Sequence, residues 1–245
     1  RKNISGLIRT FLESFKDKSS KNQPGLILKT SAADFSPIDK KELIDKISRI
    51  IDSVKKTRSK LPNIYVVHGD LTNDEMNSLY NHPKIKAHVT FTKGEGFGRP
   101  LLEACFSEKP IIAPNWSGHA DFVKHSMQLQ GQLTNIHRSA VWKDVIMAES
   151  QWFSVDYKHA QEVLKYVADK KNTKALNVLA KRQARYVKDN FMMEHMDKQL
   201  LGYLDQYTSN IPTEVPLNIP KLKKVDKDNT AKPKLKIPKL KKVES

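Results

Sequence analysis

Between residues 4 and 115 the chain switches repeatedly between two hydrophobic periods, and this constrains the fold more than any other feature. Ile4, Leu7, Ile8, Phe11, Leu12 and Phe15 recur at helical spacing. The run Gly25–Thr30 is short and apolar, as a buried strand would be. Ser36-Pro37 then gives a cap followed by proline in the first helical turn, and Leu43, Ile44, Ile47, Ile50, Ile51 and Val54 continue that helix. Residues 63–67 predict a strand. Thr72-Asn73-Asp74-Glu75 predicts a capping box opening a helix through Tyr80. Residues 87–91 predict a strand, 100–106 a helix, and 111–113 a strand stopped by Pro114. Residues 152–155 predict one more short strand, and the remainder to about Tyr207 predicts helix. Short apolar strands alternating with helices imply an α/β fold: a parallel sheet covered by helices on both faces. Ligands of such sheets sit beyond the carboxyl ends of the strands. The chemistry is therefore expected after Thr30, Val67, Phe91 and Ala113.

The segment after Phe91 is the most informative of these. Gly94, Gly96 and Gly98 fall within five positions, so the backbone can take unusual torsions and approach a ligand closely. Pro100 suits the first helical position. The amides of Leu101 and Leu102 are then expected to be unpaired donors at a helix N-terminus, an arrangement suited to phosphate. Glu95 lies on the loop and Glu103 about one turn into the helix, so two carboxylates flank the expected anion site. Carboxylates accept hydrogen bonds from hydroxyls. A diphosphate with hydroxylated groups at both ends, a nucleotide sugar, would match. Spacing alone leaves open a plain glycine-rich connection, since a helix dipole favours an early Glu in any case.

The run Glu95-Gly96-Phe97-Gly98-Arg99-Pro100-Leu101-Leu102-Glu103-Ala104, followed by Lys109–Ala113 and Ser117-Gly118, resembles the donor-binding half of family 4 retaining glycosyltransferases. The resemblance extends over nearly all of residues 1–207. It implies a Rossmann-like domain, the C-terminal half of the two-domain GT-B fold. By resemblance, Glu95 faces the transferred sugar, Glu103 holds the ribose hydroxyls, and Gly96, Phe97 and Gly98 lie along the sugar and phosphates. Leu101 and Leu102 supply the diphosphate cradle, and Lys2 neutralises the departing diphosphate. The turn from Gly69 to Leu71 forms the wall for the base. The nucleoside-diphosphate sugar is a co-substrate; no cofactor is implied, and the family needs no metal for transfer. The eight histidines show no paired ligand spacing.

Three departures stand out. Arg99 replaces a more usual aliphatic residue, and Asp121 stands where Glu is common. The family's N-terminal acceptor domain has no counterpart here, so the chain is expected to be part of a longer protein, binding donor but transferring poorly alone. The acceptor would be a glycan, a protein or a nucleic acid. Wording around Trp116–His119 and Asn135–His137 is similar to phage and other viral members.

The charge of +16 is unevenly spread. From Asn210 to Ser245 ten lysines face four acids, with five prolines and no aromatic residue. Such a composition cannot offset its ordering entropy by burial. A disordered Lys/Pro-rich tail is therefore expected over 208–245, beside a nucleotide-sugar-binding domain over 1–207. Within it Ile219–Val225 recurs unchanged at Ile237–Val243. Two readings stay open: a solvated tail, or an arm that docks on an acidic partner. A non-catalytic binding module and a nucleic-acid-modifying transferase also remain. One cysteine excludes a disulfide framework and, with the lack of a long apolar run, suggests a cytoplasmic setting.

Overall fold

The computed structural model describes residues 1–19, 21, 23–55, 60–209 and 211. The chain divides into two units, 1–201 and 202–245. The repeats lie outside the described residues, as does the tail expected over 208–245 apart from 208, 209 and 211; Thr208 is the last residue of a helix rather than the start of a disordered tail.

The described elements run α1 (Ile4–Phe15), β1 (Leu26–Lys29), α2 (Pro37–Val54), β2 (Ile64–Val67), α3 (Asn73–Asn81), β3 (His88–Val89), α4 (Arg99–Cys105) and β4 (Ile111–Pro114). They continue with β5 (Met127–Leu129), β6 (Gly131–Asn135), β7 (Gln151–Val155), α5 (Tyr157–Ala168), α6 (Thr173–Asn190) and α7 (Met193–Thr208). Local chemistry explains several boundaries. Ser36 accepts the Asp39 amide ahead of Pro37, which starts α2. Thr72 and Glu75 form both bonds of the expected capping box at α3. In α1 the hydroxyls of Thr10 and Ser14 donate to carbonyls four residues back, which lets a polar pair be buried within an apolar helix.

The fold is α/β, with parallel pairing of β1 with β2 and of β4 with both β3 and β5. Among the described residues the ladders form three separate sheets, and one of them, β6–β7, is antiparallel. Pairing is thus not wholly parallel as the alternation predicts. β5 is anchored through Ile112↔Met127, whereas β6 takes its register from Gly131↔Val155.

β4 shows how both faces are covered. All four of its residues are buried. Ile112 belongs to one buried cluster with residues of α1, α2 and α5, among them Ile8, Phe11, Leu12, Leu43, Ile47 and Leu164. Ile111 and Ala113 point the other way, to Ala104 and Cys105 of α4, Phe122, Val123 and Val187 of α6. Alternation along one strand therefore feeds two cores. Burying each such isoleucine stabilises the fold by about 1.5–3 kcal/mol. Cys105 is buried as a small apolar residue, and burial pushes its thiol up to about 12, which keeps it protonated near neutral pH. No described helix is long and apolar enough to cross a membrane.

Candidate functional site

The glycine loop follows β3 at the carboxyl end of its sheet. Its position is set by backbone bonds from two directions. Lys93 N–H donates to the Arg1 carbonyl at 2.9 Å, laying the segment before α1 along the loop. Phe153 N–H of β7 donates to the Lys93 carbonyl at 3.1 Å. Lys2 Nζ thereby donates to Glu95 Oε1 at 2.7 Å, across 93 residues of sequence. Thr92 Oγ1, itself buried, donates to the same oxygen at 2.7 Å. Arg1 lies 3.7 Å from the other carboxylate oxygen. Burial pushes the Glu95 carboxyl up, but the bonds from Lys2 and Thr92 outweigh it, and the net shift is downward. Glu95 is consequently ionised near neutral pH, with only 8% of its side chain exposed.

The amides expected to cradle phosphate are not the free ones. Leu101 and Leu102 N–H both donate to the Gly98 carbonyl, at 2.8 and 3.2 Å. The reason is a one-residue shift: α4 begins at Arg99, and Gly98 caps it in the left-handed region at φ 93°. Pro100 is thus the second helical residue. The donors without a protein partner among the described residues are instead the consecutive amides of Gly96, Phe97, Gly98 and Arg99. A run of unpaired amides is itself suited to an anion. Gly98 tolerates its torsion because it lacks a Cβ, which would also lie 3.1 Å from that of His119.

Glu103 is less buried than Glu95 and has different neighbours. It pairs with Arg99 at 3.1 Å, one turn away, and accepts from Tyr80 Oη at 3.4 Å. Arg99 keeps 83% of its side chain exposed while pairing with Glu103, and it does not join the Lys2 group. Burial and then Glu103 raise the Tyr80 phenol to about 12, so it is a donor at neutral pH. No hydrogen bond or ion pair links the Glu95 group to the Glu103 group among the described residues. Phe97 is 43% exposed and rests one face region against Phe122, ring centroids 5.1 Å apart.

Gly69 and Leu71 lie in the turn after β2. Gly69 adopts φ 123° with open space around it. Its carbonyl accepts from Lys29 Nζ at 2.7 Å, and that ammonium also stands 5.2 Å from the Phe35 ring centre. Leu71 N–H bonds the Asp70 side chain at 3.1 Å. Lys29 and Lys93 are both engaged by the protein, Lys93 sitting over the Trp152 ring.

A buried pair beside this turn was not legible in the sequence. Asp39 accepts from the Ala32 and Ala33 amides at 3.0 and 2.6 Å and from His68 Nε2 at 2.9 Å. These bonds, the Ala32 amide first, hold its carboxyl well below the usual range. They staple the loop after β1 to the turn after β2. The only sequence signal was the Asp in the first turn of a capped helix, which ordinarily serves the dipole.

His119 is fully buried, with Nε2 2.7 Å from the Pro114 carbonyl and Nδ1 unpartnered among the described residues. Trp116 is 40% exposed and stacks on Phe153. No group of three or more His, Cys, Asp or Glu residues that could hold a metal occurs among the described residues. Neither protein-family models nor curated proteins match this chain.

Proposed function

We propose that the chain is the donor-binding half of a retaining glycosyltransferase, a Rossmann-like domain of GT-B type that takes a nucleoside-diphosphate sugar. One observation carries the reading. Lys2 and Glu95, assigned adjoining roles by resemblance, are in contact at 2.7 Å beside the glycine loop. A stretch of four unpaired amides follows Glu95 directly, which supports an anionic ligand at this place. The parallel strands ending at this edge and the helices on both faces of β4 are compatible with the domain type.

In this reading the bond between the anomeric carbon and the diphosphate oxygen breaks, the acceptor hydroxyl oxygen bonds on the same face, and its proton passes to the leaving phosphate oxygen. Charge grows on the leaving phosphate oxygen. Lys2 turns from Glu95 to that oxygen, and the Gly96–Arg99 amides share its charge. Preorganised donors of this kind are commonly worth about 100–1,000-fold in rate each. Glu95, ionised and nearly enclosed, orients sugar hydroxyls and supports the electron-poor anomeric carbon. Glu103 exchanges Arg99 and Tyr80 for the ribose hydroxyls. The acceptor comes from a part outside this chain, with water excluded when the two halves close.

Calorimetry of the chain with UDP, GDP and ADP tests the reading. Saturable heat with at least one of them is expected. No detectable heat at millimolar ligand contradicts it.

A further inference from the structure

Ser117 is one of five non-glycine residues with positive φ among the described residues. At φ 70° and ψ −169° it occupies backbone space that is essentially reserved for glycine. The neighbouring residue is a glycine, yet the strain falls on the serine. A glycine at 117 would relieve it at once, so the serine contributes something that a glycine cannot.

Its hydroxyl supplies the answer. Ser117 Oγ accepts from the Glu95 amide at 2.8 Å. The next amide, Gly118 N–H, donates to the Glu95 carbonyl at 3.1 Å. Glu95 is thus gripped at both main-chain polar groups by two consecutive residues of another loop. The grip is close: a Cβ on Gly118 would stand 1.9 Å from the Gly96 carbonyl oxygen. Beyond the main chain, Thr92 and Lys2 hold the carboxylate, and Arg1 is the further charge facing it.

We propose that Ser117 is a positioning residue for Glu95, its strained backbone directing the hydroxyl that fixes the Glu95 amide and so the direction of the carboxylate. The inference deepens the donor-sugar reading and rests on it for its consequence, that the sugar portion of the ligand is recognised through this clamp.

Ser117→Gly is the decisive variant, because it removes the hydroxyl and the strain together. Ser117→Ala removes the hydroxyl and keeps the strain. The Glu95 carboxyl is followed by carbon-13 NMR from pH 2 to 8 in the full chain, alongside thermal denaturation. Affinities for UDP, UDP-glucose, GDP and GDP-mannose are measured by calorimetry. Ser117→Gly is expected to match or exceed the parent in melting temperature. The Glu95 midpoint nevertheless rises toward the ordinary glutamate value as the carboxylate drifts from Lys2 and Thr92. The added affinity that the sugar confers over the matching diphosphate falls about tenfold, the worth of one well-made hydrogen bond. Diphosphate affinity itself changes less than about twofold. An unchanged Glu95 midpoint in Ser117→Gly, or in Ser117→Ala should the glycine variant not fold, overturns the clamp. If the parent binds none of the four nucleotides, the donor reading fails, while the Glu95 midpoint still decides the role of Ser117.

Discussion

Gly118→Ala is expected to destabilise the chain by about 3 kcal/mol, the upper end for forced overpacking. The added methyl would meet the Gly96 carbonyl oxygen at 1.9 Å, the Gly96 carbonyl carbon at 2.6 Å and the Glu95 carbonyl oxygen at 3.1 Å. All three are backbone atoms, so no side chain can swing away. Relief requires the two loops to separate, and separation breaks the bond from Gly118 N–H to the Glu95 carbonyl. Gly96→Ala is the control: nothing lies within 4 Å of its added Cβ. Chemical denaturation of both variants checks the contrast. A Gly118→Ala loss below about 1 kcal/mol, within the range of an ordinary surface change, contradicts the interlocked geometry.

The second large effect concerns the two carboxylates. Glu103→Ala is expected to weaken nucleoside diphosphate binding by about 10–100-fold, the range for hydrogen bonds to a charged group. Glu95→Ala is expected to change it far less, because on the donor-binding reading Glu95 faces the sugar, which the diphosphate lacks. Glu103 also pairs with Arg99 at 3.1 Å, so Arg99→Ala is measured beside it. If Glu103 mattered only by holding Arg99, the two variants would behave alike. Equal losses for Glu95→Ala and Glu103→Ala would undo the division of roles.

Most elements were legible because their signals are local. The Ser36-Pro37 cap, the Thr72/Glu75 box and the apolar spacing of α1 each require only a few neighbouring residues. β5 and β6 escaped notice for the converse reason. Met127–Leu129 is three residues long, and Gly131–Asn135 is almost entirely exposed, so neither carries an apolar run. Their existence depends on partners: β4 for one, β7 for the other, the latter reached only after residues 136–150. An antiparallel pair with so long a connection has no turn signature.

The candidate site divides along the same line. The glycines, Glu95 and Glu103 stand in one short run and were visible. The bond from Lys2 to Glu95 spans 93 residues, and nothing in the spacing of charges announces it; resemblance alone placed the two together. α4 starts one residue before the position that Pro100 predicts, because proline suits either early helical position and only the left-handed cap at Gly98 fixes the count. That single step moved the free amides from Leu101 and Leu102 back to Gly96–Arg99. Asp39–His68 and Ser117 were hidden for a deeper reason. A strained serine beside a glycine reads as an ordinary turn, and an aspartate in a first helical turn reads as a dipole partner. Each takes its role from a loop that the fold brings to it.

The unpaired amides lead to one expectation above the rest, that the Gly96–Arg99 backbone receives a diphosphate. Nitrogen-15 NMR of the chain titrated with UDP, GDP and ADP tests this directly. For at least one of them, the largest amide shifts are expected at Gly96, Phe97, Gly98 and Arg99, accompanied by a change at Lys2. Saturable shifts centred elsewhere, with these four amides unmoved, would contradict it.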